Sequence, residues 1–507
     1  KRAYLIARGG DPSRTRKLLG ILLDQGIEVR RATRGFECRS LTGSDNRKVS
    51  RLGFKRGTYV IPAGQESHAL VINLLDPRIE IEEAYLAEQE RRLAAGLDSQ
   101  IYDITAWSLP ALFGVPCYRT ENLTLSTADC PTVDSIELPR VLENRSAKLA
   151  YILDGGGNSS MAALAGLLRR EVRVYSSDKA FTLDEKKFPR GSLIVPVKEN
   201  PEKLPEIIAE IEKEHRVGFY PTGSSWVEEG VSFGSIYVHY LPRPRVLLAW
   251  DHGTHAYSAG WARYILEQQY GVPLTTVTVS NLGRIKLERY NVLILPNGWY
   301  GGLVNKACVE RIKQWVRRGG TLVGIHGAAG WLADPEVGLL EAGIEYRLDE
   351  DTLSKKKPGK GEEKTNRVPG TEIKDLAGFS RVITAEKTSP RSLPGVLARI
   401  RLDPDHWLSA GYDSTAVAFM QGRQVFSPLK RSQGRNVAFF DSAENLLISG
   451  YSWKGPSLRQ LAFKPYLMYR PLGQGHVIAF TEDPNFRAFC DGLNRLVMNA
   501  VLLGPGH

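Results

Sequence analysis

The hydrophobic positions of this chain recur in units of one short strand, one small-residue turn and one amphipathic helix. The unit that begins at Ala3 reads AYLI, ARGGDPS and RTRKLLGILLDQG, and the unit that begins at Ala150 reads AYIL, DGGGNSS and MAALAGLLRRE. Two more pairs of segments follow in the same order, FKRGTYVIPAG with FPRGSLIVPVK and AWSLPALFGV with SWVEEGVSFGS. This internal repeat predicts two related α/β domains, residues 1–145 and 146–243, and strand–helix–strand crossovers favour parallel pairing of their strands.

A third α/β pattern begins after the proline-rich linker LPRPR. Its strands are VLLAW, LTTVTV, NVLILP and TLVGI, and its helical segments include SAGWARYILEQQYG and KACVERIKQWVRRGG. This alternation predicts a parallel sheet with helices on both faces. Residues from about 341 to 470 lose the pattern and are predicted to form a β-rich insertion, after which GHVIAF returns to the sheet and a long helix follows. We therefore predict an α/β protein in which two repeated domains precede a flavodoxin-like domain at residues 244–507.

Composition narrows the class of partner. With 507 residues and 42% hydrophobic content, the chain is long enough for three or four globular domains. Its apolar runs are shorter than the roughly 20 residues of a membrane helix, so no membrane span is expected. The net charge of +11 raises the question of nucleic acid, but the one dense basic run, Ser354 to Arg367, contains acids, Pro and Gly and is typical of a solvated loop. No nucleic-acid partner is therefore expected. Since the opening KRAYLIARGG lacks Met and a signal-peptide pattern, we expect a mature or processed piece of something longer.

Two smaller features favour structure over chemistry. The five cysteines contain no CxxC pair, which argues against a zinc ribbon, and Cys117 and Cys130 would close a disulfide only in an oxidising compartment. The turn DGGGNSS, Asp154 to Ser160, lies where a phosphate could bind, but it matches neither GxGxxG nor a Walker motif. A helix cap by Asn158 or Ser159 explains its composition without a ligand.

The segment GGTLVGIHGAAGWLADP places a histidine at a strand-to-turn junction of the kind where enzymes carry a nucleophile. A strand runs into a small-residue turn, so the side chain at the turn stands at the carboxyl edge of the sheet, where open α/β sheets bind ligands. The third unit resembles the class I glutamine amidotransferase-like fold, whose nucleophile is the Cys of a GxCxG-like turn; here GIHGA puts His326 in that position. The resemblance also implies a His–Glu pair on a late strand, roughly FHPE, where this chain has FTEDP from Phe480 to Pro484. Because no thiol stands at the turn, glutamine hydrolysis through a thioester is not expected.

Over nearly all of its length the chain resembles the non-catalytic C-terminal part of large bacterial zinc carboxypeptidases of the carboxypeptidase A-like group. The stretches that carry this resemblance are RGTYVIP, YDITAWSLPALFGV and PLGQGHVIAFTEDPNFRAFCDGLNRLVMNAVLLG. It implies a partner, the N-terminal peptidase domain or a separate chain, which would bind zinc through an HxxE pair and a later His. No histidine here is followed three places on by Glu, so we expect no metal or other cofactor in this chain. The resemblance also implies a periplasmic or extracellular location, and it leaves the oligomeric state open.

One group of residues favours chemistry. WDHGTHAYSAG follows the first strand of the third unit, so Asp251, His252 and His255 are expected at the same sheet edge as His326. Side chains of these types that converge would bind a metal or act as general acid and base. In the alternative interpretation, Asp251 caps the next helix and the histidines hydrogen-bond to backbone groups. The turn GIHGAAGWL also resembles that of trehalose-utilisation-type proteins, relatives of the amidotransferase fold that are implicated in sugar metabolism.

Three hypotheses on function follow. The favoured one is an accessory or scaffolding region that supports or gates a zinc peptidase domain and is not catalytic alone. The second is a hydrolase or sugar-modifying enzyme of the trehalose-utilisation-like type that uses the histidine-rich edge. The third is a module that binds cell-wall or peptide ligands in an aromatic groove between the repeats, although Trp107 and Trp226, at matching positions, are expected to be core anchors.

Overall fold

The computed structural model describes residues 2–136, 146–348, 389–455 and 457–507. The predicted boundary at residue 145 and the basic run Ser354 to Arg367 lie outside the described residues. Within the described ranges, no helix has the length and apolar character needed to cross a bilayer.

The first unit places four helices around a six-stranded sheet. Its elements are β1 (Ala3–Ile6), α1 (Pro12–Asp24), β2 (Arg30–Arg31), β3 (Phe36–Gly43), β4 (Lys48–Phe54), β5 (Tyr59–Pro62), α2 (His68–Leu75), α3 (Glu83–Ala94), α4 (Leu109–Phe113) and β6 (Cys117–Thr120). The strand order is β2-β5-β1-β6-β3-β4, and each pairing along it is antiparallel.

The second unit has a five-stranded sheet and a small three-stranded one. Its elements are β7 (Ala150–Leu153), α5 (Asn158–Arg169), β8 (Tyr175–Ser177), β9 (Phe181–Leu183), β10 (Lys186–Phe188), β11 (Leu193–Pro196), α6 (Leu204–His215), β12 (Tyr220–Thr222), β13 (Glu229–Gly230) and β14 (Val238–Tyr240). The larger sheet has the order β12-β7-β11-β8-β14 and the smaller one β10-β9-β13, again with antiparallel pairs.

The two units share the order of four strands, β2-β5-β1-β6 in the first and β8-β11-β7-β12 in the second. This order differs from the strand pairing that the sequence predicts. Strands β1 and β2, before and after helix α1, run in the same direction, but β5 lies between them and is antiparallel to both. Strand β11 lies between β7 and β8 in the same way. In each unit a hairpin, β3–β4 or β9–β10, precedes the inserted strand, so the chain reaches the sheet from the opposite end. The prediction of parallel pairing in the repeats was therefore wrong.

The third unit is a mixed α/β layer built on one long sheet. Its elements are β15 (Val246–Trp250), α7 (Ala256–Arg263), β16 (Leu274–Thr278), β17 (Val292–Leu295), α8 (Lys306–Arg317), β18 (Thr321–Ile325), α9 (Gly327–Leu332), β19 (Val396–Leu402), β20 (Thr415–Met420), β21 (Arg435–Phe440), α10 (Ala443–Leu446), β22 (Leu447–Ser449), α11 (Ser457–Leu461), β23 (Pro465–Leu472), β24 (Gly475–Phe480) and α12 (Asp491–Met498). Helices α7 and α12 continue as π-helical turns, Tyr264–Gln269 and Asn499–Leu503.

Five strands of this sheet are parallel, in the order β16-β15-β17-β18-β24. The order second, first, third, fourth, last is that of flavodoxin-like folds, and it places the carboxyl ends of the strands at one edge. The strands of the predicted insertion, β19 to β23, do not form a separate layer: β23 pairs with β24, and the others continue the sheet in antiparallel fashion.

Two residue-level expectations change with the structure. All five cysteines are buried and free, so Cys117 and Cys130 do not form a disulfide. Trp107 and Trp226 are 40% and 77% exposed, and neither is a core anchor. Trp107 is covered by the guanidinium of Arg487 at 5.7 Å from the ring centre, which explains how a large aromatic ring is accommodated at the surface.

One buried carboxylate joins the two repeats. Asp11 precedes helix α1, and its Oδ1 accepts a hydrogen bond from the backbone N–H of Ser13 at 2.8 Å. Its Oδ2 accepts the N–H of Asn158, the first residue of helix α5 in the other repeat, at 2.6 Å, and the Arg14 Nε–H at 3.1 Å. The sequence predicts that Asn158 or Ser159 caps helix α5, but the structure shows that Asp11 caps it. Asp11 holds the position in the first repeat that Asn158 holds in the second. Burial alone raises the pKa of Asp11, but the Arg14 charge and these hydrogen bonds outweigh it and lower the pKa.

The last helix of the third unit closes the same junction. Lys17 of helix α1 pairs with the carboxylate of Asp491 at 2.8 Å, and the Asn158 side-chain amide donates to the Asp491 carbonyl at 2.9 Å. Arg495 donates from Nη1 to the Gly157 carbonyl at 2.9 Å. All three units therefore meet at the turns that begin α1 and α5.

Replacing Asp11 with Ala should lower the free energy of unfolding by about 3 kcal/mol, because two helices lose a cap and Arg14 loses its partner. Urea unfolding at pH 7 measures this change. Asp24→Ala, an exposed acid at the other end of helix α1, is the matched control and should change stability by less than about 0.5 kcal/mol. Equal losses in the two variants would contradict the double-cap assignment.

Candidate functional site

The turn after strand β18 keeps the backbone geometry of a nucleophile elbow. His326 has φ 49° and ψ −106°, a left-handed conformation that is strained for a residue with a side chain. Such a turn projects the side chain over the carboxyl edge of the sheet. The prediction that His326 stands at a strand-to-helix elbow is therefore confirmed, and the side chain there is an imidazole instead of a thiol.

The polar groups of this elbow are satisfied within the protein. The N–H of Gly327, which follows the elbow residue and would be available to a substrate oxygen, donates to Asn297 Oδ1 at 3.1 Å. The His326 Nδ1 lies 3.2 Å from the Thr481 carbonyl, which requires Nδ1 to carry the hydrogen. Ser258 donates to the Asp483 carboxylate in a short hydrogen bond. An oxyanion at the elbow would thus meet a donor that is already occupied.

Two buried carboxyl groups follow strand β24 and lie next to the imidazole. Burial raises the pKa of Glu482 to about 7, although the hydrogen bonds from the N–H groups of Gln421 and Gly422 lower it. Burial also raises the pKa of Asp483 to about 6, against its bond from Ser258. The nearest Glu482 oxygen is 3.9 Å from the His326 Nδ1, and burial lowers the pKa of His326. The imidazole is therefore neutral at pH 7, with Nε2 as its acceptor nitrogen.

The loop that follows strand β20 covers the elbow. A Cβ built on Gly422 would lie 2.5 Å from Cε1 of His326 and closer still to a carboxylate oxygen of Glu482. The glycine therefore lets the loop backbone rest directly on both side chains. Only 22% of the His326 side chain and 6% of the Glu482 side chain are exposed.

Asp251, His252 and His255 lie in the loop between β15 and α7, at the sheet edge where the sequence places them, but all three are exposed. The His255 N–H donates to the Asn297 carbonyl at 2.7 Å, so this loop contacts the residue that holds Gly327. Helix α7 has no side-chain cap, so the interpretation of Asp251 as its cap was wrong. As far as the described residues go, the ligand atoms of these three side chains and His326 do not converge within 4.8 Å as a metal site would require.

A cavity of about 1020 Å³ lies where the three units meet. The repeat turns, with Gly10 and Asp11 from one and Gly156 and Gly157 from the other, form part of its wall. The third unit contributes Tyr412. Both the volume and the position at a domain junction are typical of ligand sites.

The cavity wall carries an excess of one positive charge, because five arginines and four aspartates line it: Arg14, Arg16, Arg190, Arg216 and Arg399 with Asp11, Asp45, Asp154 and Asp413. The side chains of Arg16 in helix α1 and of Arg216, directly after helix α6, form no hydrogen bond or ion pair with another described residue. Burial lowers the pKa of Arg16; the charge of Asp11 acts in the opposite direction, and the smaller effect of the Arg216 charge again lowers the pKa. Arg190 also lines the cavity and donates to backbone carbonyls of His406 and Ser409 instead of to an acid. Guanidinium groups in this arrangement suit a carboxylate or another anion.

The sequence gives no direct signal for this cavity. Arg16 and Arg216 are 200 residues apart and lie in amphipathic helices whose charged positions are typical of a solvated face. The internal repeat is the one sequence feature that points to the cavity. If the two repeats pack as a pair, the equivalent turns after β1 and β7 face each other.

Gly422→Ala should lower stability by about 1 to 3 kcal/mol, since the added methyl overlaps His326 and Glu482. Gly20→Ala is the matched control, because the Cβ at this position of helix α1 meets no atom within 4 Å, and it should be neutral or stabilising. Thermal or urea unfolding measures both. A Gly422→Ala protein as stable as the control would mean that the loop does not rest on the elbow.

The natural protein should lose stability as pH rises from 4.5 to 7, and Glu482→Gln should remove this loss. The native pKa of about 7 lies above the ordinary value of 4.5, so the folded state holds the proton longer and loses stability as pH rises through this window. Relative to the natural protein, the variant should gain about 3 kcal/mol of stability between pH 4.5 and 8. Urea unfolding at both pH values measures the difference, and Glu202→Gln, an exposed acid, should show no such gain.

Comparison with known proteins finds structural neighbours of low sequence identity. No protein-family model and no curated protein matches the chain. Among solved structures, a ThuA-like protein from Bacteroides uniformis is 16% identical with a TM-score of 0.30, over 51% of this chain and 90% of that one. Another from Parabacteroides merdae is 12% identical with a TM-score of 0.33, over 52% and 90%. A glutamine amidotransferase from Thermotoga maritima is 10% identical with a TM-score of 0.30, over 51% and 98%. These neighbours are consistent with an amidotransferase-like unit, and at such scores they carry no argument about activity.

Proposed function

We propose that this chain is a non-catalytic, ligand-binding accessory region whose central cavity takes an anionic ligand, in particular the carboxylate of a peptide. The cavity of about 1020 Å³ with the unpaired Arg16 and Arg216 is the observation that carries this proposal. In this proposal the region supports or gates a zinc carboxypeptidase-like domain, of the same protein or on a separate chain, in the periplasm or outside the cell.

The charge balance of the cavity wall favours an anion. Asp11 pairs with Arg14, and Asp45 pairs with Arg399 at 3.0 Å. Asp154 and Asp413 also line the wall, so five arginines against four aspartates leave an excess of one positive charge. Two guanidinium groups that repel each other are stabilised when a carboxylate lies between them. The N-terminus of helix α5 lines the cavity through Ser159 and Ser160, and Asp11 already accepts the first N–H of this helix.

The closed elbow supports a non-catalytic role. A nucleophile, a free oxyanion donor and an open approach are needed for acyl transfer. Here the thiol is replaced by His326, the Gly327 N–H is bound to Asn297, and the Gly422 backbone rests on the imidazole.

A second candidate is a hydrolase or sugar-modifying enzyme of the trehalose-utilisation-like type. It is favoured by one observation, the neutral His326 beside Glu482 with its pKa of about 7, since an imidazole base and a carboxylic acid close to neutral pH form an acid–base pair. It predicts hydrolysis of aryl glycosides by the purified chain, lost in His326→Ala and kept in Arg16→Gln. If the natural chain hydrolyses none of a set of aryl glycosides, this second candidate function is rejected.

The first proposal predicts binding of N-acetylated tripeptides with a free C-terminal carboxylate, and at least tenfold weaker binding of their C-terminal amides. Calorimetric titration measures both. Replacing Arg16 and Arg216 together with Gln should weaken carboxylate binding at least tenfold, since one hydrogen bond to a charged group contributes about 1.5 to 3 kcal/mol.

The matched control removes two positive charges at an exposed surface of the third unit, Arg284→Gln with Lys286→Gln, and should leave the affinity unchanged. If the double arginine variant binds as tightly as the control, or if carboxylate and amide bind equally, the cavity is not a carboxylate site. Inorganic phosphate in the same titration separates a preference for carboxylate from a general attraction of anions.

A further inference from the structure

Three side chains from distant parts of the chain meet at the edge of the second unit. Asp178 follows strand β8, His239 lies in strand β14, and His507 follows the 3₁₀ turn Gly504–Gly506. The His507 Nε2 is 2.9 Å from one oxygen of Asp178, and the His239 Nε2 is 3.2 Å from the other. The three potential ligand atoms lie within 4.8 Å of one another.

Counting donors and acceptors shows that the contact between His507 and Asp178 needs a second proton on the imidazole or a metal ion. The His507 Nδ1 is 2.9 Å from the Leu503 carbonyl, an acceptor, so Nδ1 carries a hydrogen. The Nε2 of a neutral imidazole then presents a lone pair to the Asp178 carboxylate, which is also an acceptor. Either a second proton or a metal ion must lie between them. A metal-ligating histidine usually donates its other ring N–H to a carboxylate or a backbone carbonyl, as the Nδ1–H of His507 donates to the Leu503 carbonyl.

The surroundings have the character of a metal site as well. The Trp407 ring stacks on His507 at 4.5 Å between centroids and at 19°, so one side of the imidazole is shielded from water. The His507 side chain is 5% exposed, whereas His239 is 28% exposed, so the group is closed on the side of the third unit and accessible from the other. An apolar cover with one open side strengthens metal–ligand interactions and leaves room for a further ligand.

We propose that Asp178, His239 and His507 bind one divalent transition-metal ion, with zinc as the preferred metal. Two imidazole nitrogens and one carboxylate oxygen are ligands that Zn²⁺ accepts in tetrahedral geometry, with a water molecule in the fourth position. Mg²⁺ and Ca²⁺ prefer all-oxygen sites and are not expected to bind. The sequence predicts no metal in this chain, because neither HxxE nor CxxC spacing is present and the three ligands are up to 329 residues apart.

The ion would act as a clamp. Strands β8 and β14 pair with each other at the edge of the second sheet, with His239 opposite Ser176. His507 belongs to the segment that follows helix α12 of the third unit. A metal bound to all three residues therefore fixes that segment to the second unit, and the free energy of metal binding adds to the stability of their contact.

The test uses the full chain, stripped of metal with a chelator and dialysed against zinc alone. Inductively coupled plasma mass spectrometry should find about one zinc per chain, and zinc should raise the melting temperature. His239→Ala and Asp178→Asn should each bind zinc at least roughly 100-fold more weakly and lose the melting shift. His68→Ala, which changes a histidine of helix α2 in the first unit, is the matched control and should keep both. Substitution with Co²⁺ adds a readout independent of stability, since a tetrahedral site gives strong visible absorption.

Two results would overturn the proposal. If the natural chain binds no more zinc than His239→Ala, the group is a hydrogen-bonded ion pair without a metal. If zinc binds equally to the natural chain, to Asp178→Asn and to His239→Ala, the ion lies elsewhere. The variants leave Arg16 and Arg216 unchanged, so a failure here is distinct from a failure of the anion-binding proposal.

Discussion

The arrangement of the three units depends on the charge of one buried side chain, Asp11. A single carboxylate accepts the N-terminal N–H groups of two helices, one from each repeat, and Arg14 keeps it ionised. Both helix ends carry partial positive charge, so the carboxylate compensates three positive groups at once. The same carboxylate also acts on Arg16 in helix α1, whose pKa it raises more than the charge of Arg216 lowers it. The interaction that joins the repeats is therefore also part of the charge balance of the cavity wall.

The elbow of the third unit shows how neighbouring contacts hold a strained backbone conformation. The positive φ of His326 is held by its own N–H bond to the Phe480 carbonyl at 2.8 Å and by the bond from Gly327 to Asn297. Neighbouring strands and loops over-determine this conformation, so it does not need a substrate to be maintained. The same contacts that hold the turn occupy the groups a substrate would use. The backbone strain at this strand end is therefore explained by the fold. Evidence of chemistry has to come from the hydrogen-bond donors that stay free.

The parts of the fold that could be predicted are those whose signal is local. Strands β15, β17, β18 and β24 are buried on both faces and read as continuous apolar runs, and His326 was placed because a strand leads directly into its turn. The pairing in the repeats was not predictable in this way. It depends on where β5 and β11 enter their sheets, which is set by hairpins of largely polar residues. The sequence does not predict two groups of side chains, Arg16 with Arg216 and Asp178 with His239 and His507. Only tertiary packing brings these residues together, and no spacing rule connects them.

The cavity and the Asp178–His239–His507 group share a wall, and this gives the junction a physical continuity that neither site shows alone. Arg190 lines the cavity and donates to the carbonyls of His406 and Ser409, and Trp407 between them stacks on His507. A ligand that draws the Arg190 guanidinium into the cavity would have to break or stretch those two bonds and so displace the segment that covers the imidazole. Coupling between two sites requires an element whose arrangement both can bias. If an anion binds in the cavity and a cation binds at the edge of the second unit, residues 406–409 are the segment that both would reach, through Arg190 on one side and His507 on the other.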